Sequence, residues 1–133
     1  MLFGRERIES LEKLTIRLSG MRSMEEYEAI CDGESAEVSH YIISYMERDS
    51  RELLSRAEVS AHAFMELLDG YDMMGWDGFS GKHPRFVNDG TMFDLRAVAN
   101  GRSIHASGSE NFPRGFMDLV RDLRGIARGE RTL

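Results

Sequence analysis

A chain of 133 residues, 41% hydrophobic and 30% charged, has room for one hydrophobic core, and its composition excludes global disorder. A net charge of −6 repels a phosphate backbone, so no nucleic-acid partner is expected. The single cysteine, Cys31, cannot close an internal disulfide, no stretch approaches the roughly 18 apolar residues of a membrane span, and no signal peptide is expected from the opening Met1 to Arg7.

The expectation is one domain over residues 1–133, in the cytoplasm, with no membrane partner. Burial alone can hold such a domain together, without metal or disulfide. The charge is uneven: from Arg102 onward six arginines face four acids, a tail of +2 on a remainder of −8. Arg121, Arg124 and Arg128 are read as a solvated helix face that complements the C-terminal end of the dipole.

Taken in chain order, Leu14, Ile16 and Leu18 alternate with Thr15 and Arg17, the period of a half-buried strand. Over Glu25 to Cys31 a second strand places Tyr27, Ala29 and Cys31 on one face. Asp32-Gly33 then offers the positive-φ pair of a tight hairpin. The return strand runs from Glu37 to Met46, and its apolar end over Tyr41 to Tyr45 fits a central strand or a dimer contact.

Residues 50–59 read either as the start of one long helix or as a fourth strand with Leu53, Ser55, Ala57 and Val59 along one side. The strand reading is preferred, because Ser60 then caps a helix whose Ala61, Phe64, Leu68 and Tyr71 face the core. After a loop, Thr91 to Val98 forms a strand with Phe93, Leu95 and Ala97 on one face. Asn100-Gly101 closes a type I′ hairpin onto Ile104 and Ala106. A last helix takes Pro113 in its first turn and buries Phe116, Val120, Leu123 and Ala127. The fold class is α+β: a mostly antiparallel sheet of about six strands, order ββββ-α-ββ-α, with two helices on one face.

Three segments carry a resemblance. They are Trp76-Asp77-Gly78-Phe79, Asp89-Gly90 through Leu95, and Asn100 through the Ala106-Ser107-Gly108-Ser109 run to Phe112-Pro113. Together they resemble a set of bacterial hypothetical proteins that share W-D-G-F, D-G-x-x-F/W-x-L and D/N-G-x-x-I-x-A-S-G-S-x-x-F/Y-P. The resemblance covers about half the chain and implies the fold and a bacterial source. It brings no activity, cofactor or partner with it.

No constellation in the sequence demands chemistry. The histidines at 40, 62, 83 and 105 lack metal-ligand spacing, and no phosphate-loop motif occurs, so no metal, cofactor or catalytic residue is assigned. Gly90, Gly101 and Gly108 are read as turn glycines, and Ser109 and Asn111 as ties at the start of the last helix. His105 points away from the core between Ser103 and Ser107, and Cys31 is read as inert. Trp76, Phe79, Phe93 and Phe112 are read as one aromatic cluster. Should the sequence hold a ligand site, its residues are Trp76, Asp77, Asp89, His105 and Ser109.

The leading reading is a non-catalytic binding or protein-interaction module for an unknown protein or small ligand. Two rivals stay open. One is a hydrolase using His105 with Ser107 or Ser109. The other is a self-associating protein, a homodimer through the Tyr41 strand.

Overall fold

The computed structural model describes residues 5–20, 23–44, 46, 50–86 and 90–133. Alternation in the first third builds a four-strand antiparallel meander: β1 (Leu11–Ser19), β2 (Met24–Asp32), β3 (Ser35–Ile43) and β4 (Arg51–Ser60). The β2–β3 loop is Gly33-Glu34, one residue later than expected. Asp32 still pairs with Ser35, and only Gly33 takes a positive φ, 65°. β3 ends at Ile43 rather than Met46; Tyr45, in the strand end expected to be apolar, falls outside the described residues.

Residues 51–60 are the fourth strand, and the Ser60 hydroxyl accepts the Ala63 N–H at 3.2 Å to start α1 (Ala61–Gly70). The expected single stripe on β4 is broken by a bulge: His40 pairs with Ser55 while Tyr41 pairs with Leu53. Leu53 therefore shares the face of Tyr41, and Ser55, Ala57 and Val59 share the other.

A 3-10 turn over Met73–Trp76 leads to the two-residue strand β5 (Ser80–Gly81), which the sequence did not announce. β6 (Met92–Ala99) and β7 (Arg102–Ser109) form a hairpin closed by Asn100 and Gly101, whose φ of 53° and 74° are both positive as a type I′ turn requires. Asn100 also clasps the segment before β1. Its Oδ1 accepts the N–H of Glu9 and Ser10, and its Nδ2 donates to Glu6 and to the Arg7 carbonyl.

The last helix, α2, is Phe116–Ala127 with Gly115 as N-cap, so Pro113 lies in a turn before the helix and not within it. Ser109 and Asn111 do not cap it. The glycine at 115 has a φ of 86°, a left-handed conformation that favours glycine.

The sheet order is β4-β3-β2-β1-β6-β7-β5, antiparallel throughout except for β5, which runs parallel to β7. Both helices pack on one face. There the buried strand residues Leu14, Ile16, Tyr27, Ala29, Val38, Phe93, Leu95 and Ile104 meet Phe64 and Leu68 of α1 and Phe116, Leu119, Val120, Leu123 and Ile126 of α2. Each large side chain buried this way contributes about 1.5–3 kcal/mol. Among the described residues, no helix lies on the opposite face.

Candidate functional site

Because side chains on a strand alternate, the registers between strands define which residues share each row of the helix-free face. Two central rows matter most. One runs Arg56, Ser39, Glu28, Thr15, Arg96, His105 from β4 to β7; the next runs Leu53, Tyr41, Glu26, Arg17, Asp94, Ser107. Lys13, Val98 and Ser103 extend the face on one side of these rows.

The two glutamates lie under the cations. Glu26 and Glu28 are only 5% and 7% exposed, although no helix covers them. Arg17 reaches Glu26 at 3.1 Å, and Arg51 reaches Glu26 at 2.6 Å and Glu28 at 3.3 Å. Lys13 stands 3.5 Å from Glu28. Arg51 Cζ lies over the Tyr41 ring, 3.9 Å from its centroid, while Arg56 donates to the Tyr41 hydroxyl and to Ser39. Pairing of this kind is what lets a carboxylate stay out of water. The result, over the β1–β4 part of the face, is two carboxylates held inside with cation heads outside.

Three adjoining clefts cut this face. One of about 370 Å³ lies between Lys13, Thr15, Arg96, Val98, Ser103 and His105. Another of about 310 Å³ lies over Glu26, Glu28 and Arg51, and a third of about 370 Å³ adjoins Arg17, Asp94, Ser107 and Ser109. Asp94 ties the first and third together. Its carboxylate takes His105 Nε2 at 2.8 Å and Arg96 Nε at 2.9 Å. Burial pushes the Asp94 carboxyl up, but those two hydrogen bonds and the nearby charges outweigh it and hold its pKa below the ordinary aspartate value.

The expected site residues are scattered over different roles. Trp76 is 6% exposed and packs on Phe116 with ring centroids 5.9 Å apart, so most of its ring belongs to the core; with Phe79 it also lines a cavity of about 640 Å³ beside Tyr71, Asp72 and Arg114. Phe79, Phe93, Phe112 and Phe116 complete that aromatic cluster. Asp77 accepts the backbone N–H of His105 at 3.0 Å, a strand group rather than a loop group. Gly78 donates to the His105 carbonyl and Ser107 donates to the Phe79 carbonyl, so the Trp76–Phe79 segment covers the outer edge of β7. Asp89 lies outside the described residues.

His105 is on the open face as expected, but its partner is Asp94 and no serine hydroxyl bonds to it. Ser109 does pair with a histidine, a different one: His83 Nδ1 is 2.8 Å from Ser109 Oγ, on an exposed loop. Gly108 is not a turn glycine. A Cβ there, or at Gly81, would lie 2.4 Å from the Asn111 carbonyl oxygen, so the crossing of β5, β7 and the 110–112 loop requires glycine at both.

Burial raises the Cys31 thiol above its ordinary value, in keeping with an unreactive group. Among the described residues no group of three His, Cys, Asp or Glu side chains could hold a metal ion, and no helix is long and apolar enough to cross a membrane.

Of the C-terminal arginines, Arg124 is less solvated than expected: it donates to the Tyr27 hydroxyl at 2.9 Å. Sequence reasoning also missed Glu26, Glu28, Arg51 and Arg96. An alternating Glu-x-Glu in β2 was visible, but which cations would cover it depends on strand registers that a linear reading does not supply. No protein-family model matches the chain, and no curated protein matches it.

Proposed function

We propose that this protein is a non-catalytic binding module whose ligand surface is the helix-free face of the sheet. The observation that carries the reading is the layering of charge: Glu26 and Glu28 are buried beneath Arg17, Arg51 and Lys13. Ion pairs fix these donors before any ligand arrives, which lowers the ordering cost of recognition. The three clefts supply concave ground beside them. The bacterial source rests on the resemblance, and the lone Cys31 fits a cytoplasmic setting.

Screening mixtures of small metabolites and peptides by ¹⁵N–¹H NMR tests it. Bound compounds should shift Thr15, Arg96, His105 and Ser107; hits confined to the α1 and α2 side would overturn the reading.

The His83–Ser109 hydrogen bond favours a second reading, a hydrolase with Ser109 as nucleophile. A fluorophosphonate probe decides between them. A binding module leaves the probe unreacted, whereas labelling lost in Ser109→Ala and His83→Ala would establish the hydrolase. Self-association through the Tyr41 strand loses its edge, because β3 is paired on both sides by β2 and β4.

A further inference from the structure

We propose that the cleft between β1, β6 and β7 is a site for the phosphate group of a small phosphate monoester, a ligand class that rests on the open-face reading above. The cleft gathers Lys13 and Thr15 from β1, Arg96 and Val98 from β6, and Ser103 and His105 from β7. These six are mutual cross-strand neighbours in two adjacent rows. With strands about 4.8 Å apart and rows about 7 Å apart, the patch spans roughly 10 by 7 Å.

Its donors are unspent. The Arg96 side chain is 72% exposed and its hydrogen bond to Asp94 uses Nε, which leaves its Nη groups with no partner among the described residues. Lys13 is 52% exposed, with a single partner 3.5 Å away. The hydroxyls of Thr15 and Ser103 engage no other described residue. Two guanidinium nitrogens, an ammonium and two hydroxyls exceed what a two-oxygen carboxylate takes up. They suit three terminal phosphate oxygens, each accepting roughly two bonds.

A cleft of about 370 Å³ is larger than a phosphate alone, and Val98 gives an apolar wall for the remainder of the ligand. Asp94 repels an anion from the far side of Arg96 and so seats it toward Lys13 and Ser103.

The other arginine-rich surface of the molecule is worse suited. Arg121 is committed to Asp118, Arg131 to Asp122 and Arg124 to Tyr27, at the negative end of the α2 dipole.

Titrating the full chain with phenyl phosphate, and in parallel with benzoate, tests the site by NMR. Phenyl phosphate should saturate with shifts centred on residues 13–15, 96–98 and 103–105, and bind more tightly than benzoate. Arg96→Gln should weaken it about tenfold and Thr15→Ala/Ser103→Ala less, both with unchanged melting. Failure to saturate, equal affinity in Arg96→Gln, or shifts centred on Arg121 and Arg128 would overturn the proposal. Saturation of this cleft by benzoate alone would remove the phosphate class and leave the open-face reading standing. Binding of both probes to the helix side would remove both.

Discussion

On the helix side of β2, Tyr27 and Ala29 are buried against α2 and their neighbours; one residue along, on the other side, Glu26 and Glu28 are buried almost as deeply. The two sides of one strand reach the same exposure by different physics. Tyr27 loses water to apolar packing, a non-directional gain that depends on area. Glu26 loses water to cations that reach it from β1 and β4, a directional gain that depends on register. Low exposure alone therefore does not mark the core of this protein.

Substitutions on each side should separate these two kinds of burial. The largest effect belongs to the helix side. Trp76→Ala removes a buried ring from the Phe116 cluster and should cost about 3–5 kcal/mol in urea unfolding. Native emission from this single tryptophan should be blue-shifted and poorly quenched; red-shifted, readily quenched emission would put Trp76 at the surface and erase the contrast.

On the open face, Arg51→Met leaves Glu26 and Glu28 without their shared partner and should cost about 2 kcal/mol, since the arginine itself is part-exposed. Combining it with Glu26→Gln should recover much of that loss. Strict additivity in this double-mutant cycle would show that the pair is not coupled.

Gly101→Val tests the hairpin shared by both faces. It forces a β-branched residue to a φ of 74°, and a melt should report about 1–2 kcal/mol.

The smallest effects are pH-dependent. Burial first, and then its hydrogen bond to Asp122, push the Tyr71 phenol up to about 12 from an ordinary value of 10.0. The folded state thus holds that proton more tightly than the unfolded chain. The stabilisation is full below pH 10 and is lost as pH rises through 10 to about 12. Tyr71→Phe should flatten that alkaline decline. Asp94 has the opposite sign: its lowered pKa stabilises the fold above the ordinary aspartate value and is lost as acid protonates it, so Asp94→Asn should flatten the limb below about pH 4.

The helix side was the legible one. Leu14, Ile16 and Leu18 in β1 and Phe116, Val120, Leu123 and Ala127 in α2 declare their faces by period alone, and Asn100-Gly101 declares its turn by backbone preference. The open face was not legible, because it is written in pairs of residues from different strands. Arg51 meets Glu26 only after two turns of the meander, and Arg96 meets Thr15 only across the β1–β6 junction. The helix start at Phe116 eluded a rule that reads Pro113 as a first-turn residue, since the same proline serves equally in the turn before Gly115. His83 reached Ser109 from a loop whose course no periodicity encodes.

The place of β1 in the sheet has a consequence for synthesis of the chain. It precedes the other described strands in the chain, yet it lies in the interior, and one of its neighbours is β6, so that Leu14 waits for Ala97. Until β6 leaves the ribosome, the nascent meander carries β1 as an open edge beside the unfilled half of the core, the kind of intermediate that sticks to its copies. Closure over so long a separation is slow compared with hairpin formation. In the folded protein the Asn100 side chain ties the backbone before β1 to this late hairpin.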